Sequence, residues 1–381
     1  MKKILSGILL LAMLLSLFTA CGKETVAPSA ETSAPTAQTT ETTEAAETSG
    51  TTEATDEATD ATEETEASLA DYPLYLKVSA ITFSLVGESE DIYLGLAPRE
   101  LVTWESDDPA VVSVENGVLT AVSVGTTTVR ATYNGQEIAV TAGCLAQTQE
   151  ELDALGFDIL CQPKRIAPEV DLSVPCTYFD DAALVGDSIA YMMVRVENEG
   201  DYLGDMTFLA RGGVSMNGFV RRFMNLFYQG DEVYMEDAIA LSQVKRAYIH
   251  VGSNDIGDAA QRKVYMENWA IMLERIREKS PDVEIVILSN IPQYAFGIEA
   301  TGTLFLQYNK NVVKYNKLLQ DFAAENGCMY LDICYYMQDH CNRMPRVYNL
   351  DGFHPNDDGY MVLMQILRYY ARFETDGGTL S

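Results

Sequence analysis

Histidine is scarce in this chain, with three in 381 residues. They are His250, His340 and His354, so any imidazole chemistry must fall to one of them. No pair of histidines or cysteines stands at metal-ligand spacing, and nothing in the sequence asks for a cofactor. Basic residues are few, 26 against 56 acidic ones, giving a formal charge of −30. That balance disfavours nucleic acid as a partner and speaks for solubility. Long apolar runs are missing after residue 18, and no later segment is apolar enough for long enough to span a membrane.

What is present changes along the chain. Lys2 and Lys3 precede an apolar run from Ile4 to Phe18, and Thr19-Ala20-Cys21 follows. This is the pattern of an export signal over residues 1–20. It resembles a bacterial lipoprotein signal, with Phe18 where the usual lipobox carries leucine. The resemblance implies a diacylated Cys21 holding the protein to the outer face of a bacterial cytoplasmic membrane. Residues 21–71 are rich in Thr, Glu, Ala, Ser and Asp and nearly free of large apolar side chains. Such a segment buries too little surface to offset its ordering entropy, so a disordered tether is expected.

Residues 72–145 carry short alternating runs divided by turn signals. Glu115-Asn116-Gly117 and Asn134-Gly135 are hairpin turns, and the spacing predicts a small all-β sandwich. Val102-Thr103-Trp104 through Val114, then Gly117 to Ala121 and Gly125 to Val129, resemble bacterial immunoglobulin-like domains. In such proteins the module is usually a spacer or an adhesive unit. Trp104 is expected in its core. Residues 146–180 read as a connector.

From residue 181 to 375 strands and helices alternate. Strands are expected at 182–185, 244–251, 283–288 and 329–333. Met266, Trp269, Leu273 and Ile276 share one helix face, Val312, Val313, Tyr315, Leu318, Leu319 and Phe322 belong to another helix, and the last begins near Asp357. This order builds a parallel sheet covered by helices on both faces, with ligands at the carboxyl ends of the strands. Gly186-Asp187-Ser188 and Gly252-Ser253-Asn254-Asp255 fall at such ends.

Ser188 needs a base to become a nucleophile. His354, in Asp351-Gly352-Phe353-His354-Pro355, can supply one, and Asp351 three residues earlier can orient the ring. The oxyanion of an acyl-transfer intermediate needs preorganised donors. The candidates are the backbone N–H of Ser188, that of Gly212 (or of its neighbour Gly213) and the side-chain amide of Asn254. His250 reads as a core residue of its strand, and Asp187 and Asp255 as residues shaping their own turns.

These four blocks resemble those of the SGNH, or GDSL, hydrolases, with Ile189 in place of the leucine of the second name. The resemblance implies a three-layer α/β/α, flavodoxin-like fold and a serine esterase without a cofactor. By position it makes Ser188 the nucleophile, His354 the base, Asp351 its partner, and Gly212 and Asn254 the remaining oxyanion donors. The expected substrate is a short O-acyl ester, on a small molecule or a glycan. Transfer of the acyl group to a sugar acceptor, and a non-catalytic glycan-binding or adhesive role, are the alternatives. Six cysteines besides Cys21 permit disulfides in an exported chain, among them Cys161 with Cys176, which would close a loop before the nucleophile strand.

Overall fold

Two asparagine–glycine pairs set the first half of the fold. The computed structural model describes residues 72–294 and 298–380, without the side chains of 298–306. The expected signal at 1–20, Cys21 and the tether to residue 71 lie outside the described residues. In the all-β module the strands are β1 (Leu74–Leu76), β2 (Ala80–Leu85), β3 (Ser89–Asp91), β4 (Tyr93–Leu96), β5 (Thr103–Ser106), β6 (Val112–Glu115), β7 (Val118–Ala121), β8 (Gly125–Tyr133) and β9 (Gln136–Ala146). Asn116 and Gly117 both have positive φ, as do Asn134 and Gly135. Each pair closes a two-residue hairpin whose twist matches its strands, β6 to β7 and β8 to β9. Trp104 is half-buried, and a side chain at Gly117 would meet its ring at 3.0 Å.

The segment between the modules is more than a connector. It holds helices α1 (Gln149–Ala154) and α2 (Phe157–Leu160), then β10 (Arg165–Ile166), which pairs antiparallel with β2. The main sheet of the first module therefore runs β10-β2-β9-β8-β5. Arg165 also pairs with Glu90 at 2.7 Å, while Tyr336 and Tyr369 from the second module donate to the Lys77 and Leu76 carbonyls at 2.8 and 2.7 Å. One continuous hydrophobic core includes Phe83 and Val129 of the first module and Tyr336, Leu363 and Leu367 of the second.

The second module is built on β11 (Ala182–Gly186), β12 (Thr207–Ala210), β15 (Arg246–His250), β16 (Glu284–Leu288) and β17 (Met329–Leu331), with a small hairpin of β13 (Leu226–Tyr228) and β14 (Asp231–Val233). The five form a parallel sheet in the order β12-β11-β15-β16-β17. Its helices are α3 (Ser188–Gly200), α4 (Met216–Val220), α5 (Met235–Ser242), α6 (Ala259–Lys279), α7 (Ile298–Glu325) and α8 (Asp357–Thr375). Successive strand side chains point to opposite faces. Leu184, Tyr248 and Val286 pack with α3 and α8, whereas Val185, Ile249 and Ile287 pack with α5, α6 and α7. The fold is the expected three-layer α/β/α, preceded by an immunoglobulin-like sandwich. Trp269, Leu273 and Ile276 are buried on α6, and Tyr360, Leu363 and Ile366 on α8. On α7, Val312, Tyr315 and Leu319 are buried but Val313 and Leu318 face water.

Candidate active site

The strand β11 is buried along its whole length and ends in a turn with no room for side chains. A Cβ at Gly186 would lie 2.6 Å from the His250 carbonyl oxygen and 2.5 Å from Ala190. Glycine is therefore required where β11 passes β15 into α3. Asp187 caps that helix, accepting the Ile189 N–H at 3.0 Å, and Ser188 becomes its first residue. The same carboxylate is fully buried and accepts the Ser253 and Gly252 N–H groups at 3.1 and 3.4 Å. Burial alone would raise the Asp187 carboxyl. The nearby His250 imidazole (Nδ1 at 3.5 Å) and the Ile189 N–H outweigh it and hold it below the usual carboxylate range. Asp187 thus carries a fixed negative charge that joins the nucleophile turn to the turn after β15.

The histidine comes from the loop before α8. Asp351 Oδ1 accepts the N–H groups of Phe353 and His354 at 3.0 and 2.8 Å, closing a tight turn. Its Oδ2 is 2.8 Å from His354 Nδ1. A carboxylate can only accept, so Nδ1 carries the proton and Nε2 presents its lone pair. Nε2 is 2.9 Å from Ser188 Oγ, and the hydroxyl donates to it. Burial pushes the Asp351 carboxyl up, but the bonds from the His354 backbone and ring prevail, so it is held below the ordinary carboxylate range. Asn356 then caps α8 by accepting the Gly359 N–H at 3.0 Å, which anchors the loop.

A cavity of about 340 Å³ opens beside these groups. Ser188, Gly213, Asn254 and His354 line it with Ile189, Ile291, Tyr308 and Phe353. At the first position of α3 the Ser188 N–H has no partner within the helix and lies at its positive end. Asn254 spends one amide N–H on the Val214 carbonyl at 2.7 Å, leaving the other for a ligand. Gly212 and Gly213 are both exposed, and of the two it is Gly213, at φ +76°, that lines the cavity. Asp255 accepts the Met216 and Asn217 N–H groups at 2.8 and 3.2 Å, so the loop carrying these glycines is tied to the turn carrying Asn254. Burial pushes Asp255 up to about 6 against those two bonds.

Residues 184–362 match the GDSL-like lipase/acylhydrolase family, and residues 91–142 match the bacterial Ig-like domain, group 2. The second module is a GDSL-type serine esterase domain. No curated protein matches the chain. Among solved structures it is similar to a proposed acylhydrolase from Bacteroides fragilis, at 19% identity and a TM-score of 0.41 over 54% of this chain and 92% of that one. A GDSL-like lipase from Bacteroides thetaiotaomicron is 16% identical, with a TM-score of 0.41 over 51% and 88% of the two chains. The C-terminal catalytic domain of peptidoglycan O-acetyltransferase A from Streptococcus pneumoniae is 14% identical, with a TM-score of 0.36 over 52% and 97%.

Within the GDSL domain the structure brings Ser188, His354, Asp351 and Asn254 to one mouth of the sheet and leaves Gly212 beside it. His250 is buried under the nucleophile turn. His340 lies away from the site, with Nδ1 3.0 Å from Ser84 Oγ of the first module, and burial lowers it to about 4. All six described cysteines are free, so Cys161 and Cys176 do not close the loop considered above. Sequence reasoning missed Ile291 and Tyr308, whose hydroxyl donates to the Ser253 carbonyl at 3.1 Å. Ile291 had a usable signal, since it follows the carboxyl end of β16, where ligands collect. Tyr308 had none, because only the packing of α7 turns it toward the site.

Proposed function

We propose that the domain hydrolyses short-chain O-acyl esters, most of all O-acetyl groups on glycans, through an acyl-enzyme on Ser188. The observation that carries this reading is the 2.9 Å contact from Ser188 Oγ to an imidazole whose other nitrogen is held by Asp351. His354 takes the hydroxyl proton as Oγ attacks the ester carbonyl. The Ser188 and Gly213 N–H groups and the free Asn254 amide N–H receive the oxyanion. His354 then protonates the departing alcohol, and water activated by the same ring releases the acid. Asp351 stabilises the imidazolium throughout, and its lowered pKa keeps it ionised for that role.

The cavity supports a small acyl group, because about 340 Å³ is near the lower end of ligand sites and Ile189, Ile291 and Phe353 narrow it. In this reading a lipid on Cys21 and the tether at 21–71 hold the enzyme outside the cytoplasmic membrane, where acylated glycans are at hand. Two experiments test these points. p-Nitrophenyl acetate and butyrate should exceed the octanoate in kcat/KM by at least ~10-fold, since the longer chain must leave its methylenes in water; faster octanoate turnover contradicts the short-acyl reading. Cys21→Ala should move the protein from the membrane fraction to the medium, and unchanged fractionation contradicts the anchor.

A further inference from the structure

A second and larger cleft, about 460 Å³, lies where the two modules meet. No residue lines both it and the catalytic cavity. Its walls are held together by the Tyr336 and Tyr369 hydroxyls on the Lys77 and Leu76 carbonyls and by the Arg165–Glu90 pair. It is therefore a built feature of the joined modules, and neither module would form it alone.

Its chemistry is that of a polyol site. The cations on the sandwich side are already engaged: Arg99 pairs with Asp91 at 2.8 Å, and Lys77 donates to the Asp91 carbonyl at 3.1 Å. Two carboxyl groups, Asp91 and Asp332, face the two cations, so the cleft presents both signs rather than a single-sign site for an ion. On the esterase side Gln320 and Asp332 are exposed to water within it. Asp332 accepts the Tyr335 N–H at 3.2 Å and bonds from the Ser289 side chain and the Cys334 N–H, and a carboxylate with about four acceptor sites keeps one for a ligand. Tyr336 gives its proton to the Lys77 carbonyl, so Tyr370, 3.1 Å from that hydroxyl, must donate to it and keeps its own lone pairs. Aromatic and aliphatic groups, Tyr370, Phe373 and Leu94, supply the apolar wall. Hydroxyl-rich edges and C–H faces of a sugar ring match this alternation of planar polar groups and rings.

We propose that this cleft binds a saccharide and keeps the esterase on its polymer while Ser188 works on the acyl groups, a role that rests on the glycan-ester reading above. The test is titration calorimetry with the full chain carrying Ser188→Ala, using unacylated xylohexaose, maltohexaose and the hexamer of N-acetylglucosamine. At least one should bind with Kd of ~1 mM or tighter. Gln320→Ala with Asp332→Ala, both at exposed positions, should weaken it at least ~10-fold through lost hydrogen bonds. With Ser188 restored, the same double variant should keep p-nitrophenyl acetate turnover within about twofold, because it touches no group of the catalytic cavity. Absence of binding by all three sugars, or binding untouched by the double variant, overturns the proposal. Binding lost in the variant, from an enzyme that releases no acetate from acetylated glycans, keeps the saccharide site and removes only the glycan-ester reading.

Discussion

Asp187 accepts the Ser253 N–H at 3.1 Å, so a single buried carboxylate ties the residue before the nucleophile to the residue before Asn254. The turns that carry the nucleophile and the oxyanion donor are therefore tied to each other. Preorganisation of this kind is what makes an oxyanion site effective, since nothing needs to reorient as charge develops.

Removing that charge should loosen both turns. Asp187→Asn keeps the volume but presents an N–H₂ where backbone donors already point. A loss of roughly 1–3 kcal/mol is expected. Thermal unfolding should show it as a Tm lower by several degrees, with a fall in kcat.

The histidine partner gives a sharper kinetic signature. Asp351→Asn leaves the loop able to form but no longer requires a proton on Nδ1. A decrease in kcat of about 10³–10⁴ is expected with KM little changed, because the orienting carboxylate acts on the transition state. Steady-state kinetics on p-nitrophenyl acetate check this.

The adjacent glycines can be separated by substitution. Gly213 lines the cavity at φ +76°, and an alanine there incurs about 1–2 kcal/mol of backbone strain as well as disturbing the donor. Gly212 has open space around it and no such φ. Gly213→Ala should therefore cost far more activity than Gly212→Ala. The reverse order would return the donor role to Gly212.

Asp255 predicts a pH dependence of stability. Its folded pKa, about 6, is raised above the unfolded value, so the folded state binds the proton more tightly. This contribution is present below about pH 4 and is lost as pH rises toward 6. Asp255→Asn should flatten that part of the Tm–pH curve, measured by scanning calorimetry between pH 4 and 7.

Much of this was legible in the residues because the signals were local. Asn116-Gly117 and Asn134-Gly135 specify hairpins by φ alone, and β11, β15 and β16 are built on the apolar runs 182–185, 247–249 and 285–288. The strand β12 was not foreseen: Thr207–Ala210 is a four-residue edge strand whose pairing with β11 is non-local. The β13–β14 hairpin turns on Gln229-Gly230, both at positive φ, where asparagine would have announced it. Nor could spacing reveal that β10 would join the first module's sheet. That contact makes the two modules share a core, and no periodicity records it.

The most direct test is hydrolysis of p-nitrophenyl acetate by the wild-type chain beside Ser188→Ala, with circular dichroism confirming that both are folded. Loss of turnover by about 10³-fold or more is predicted, since only binding and the oxyanion donors would remain. Equal turnover by the two proteins would contradict Ser188 as nucleophile and the mechanism built on it.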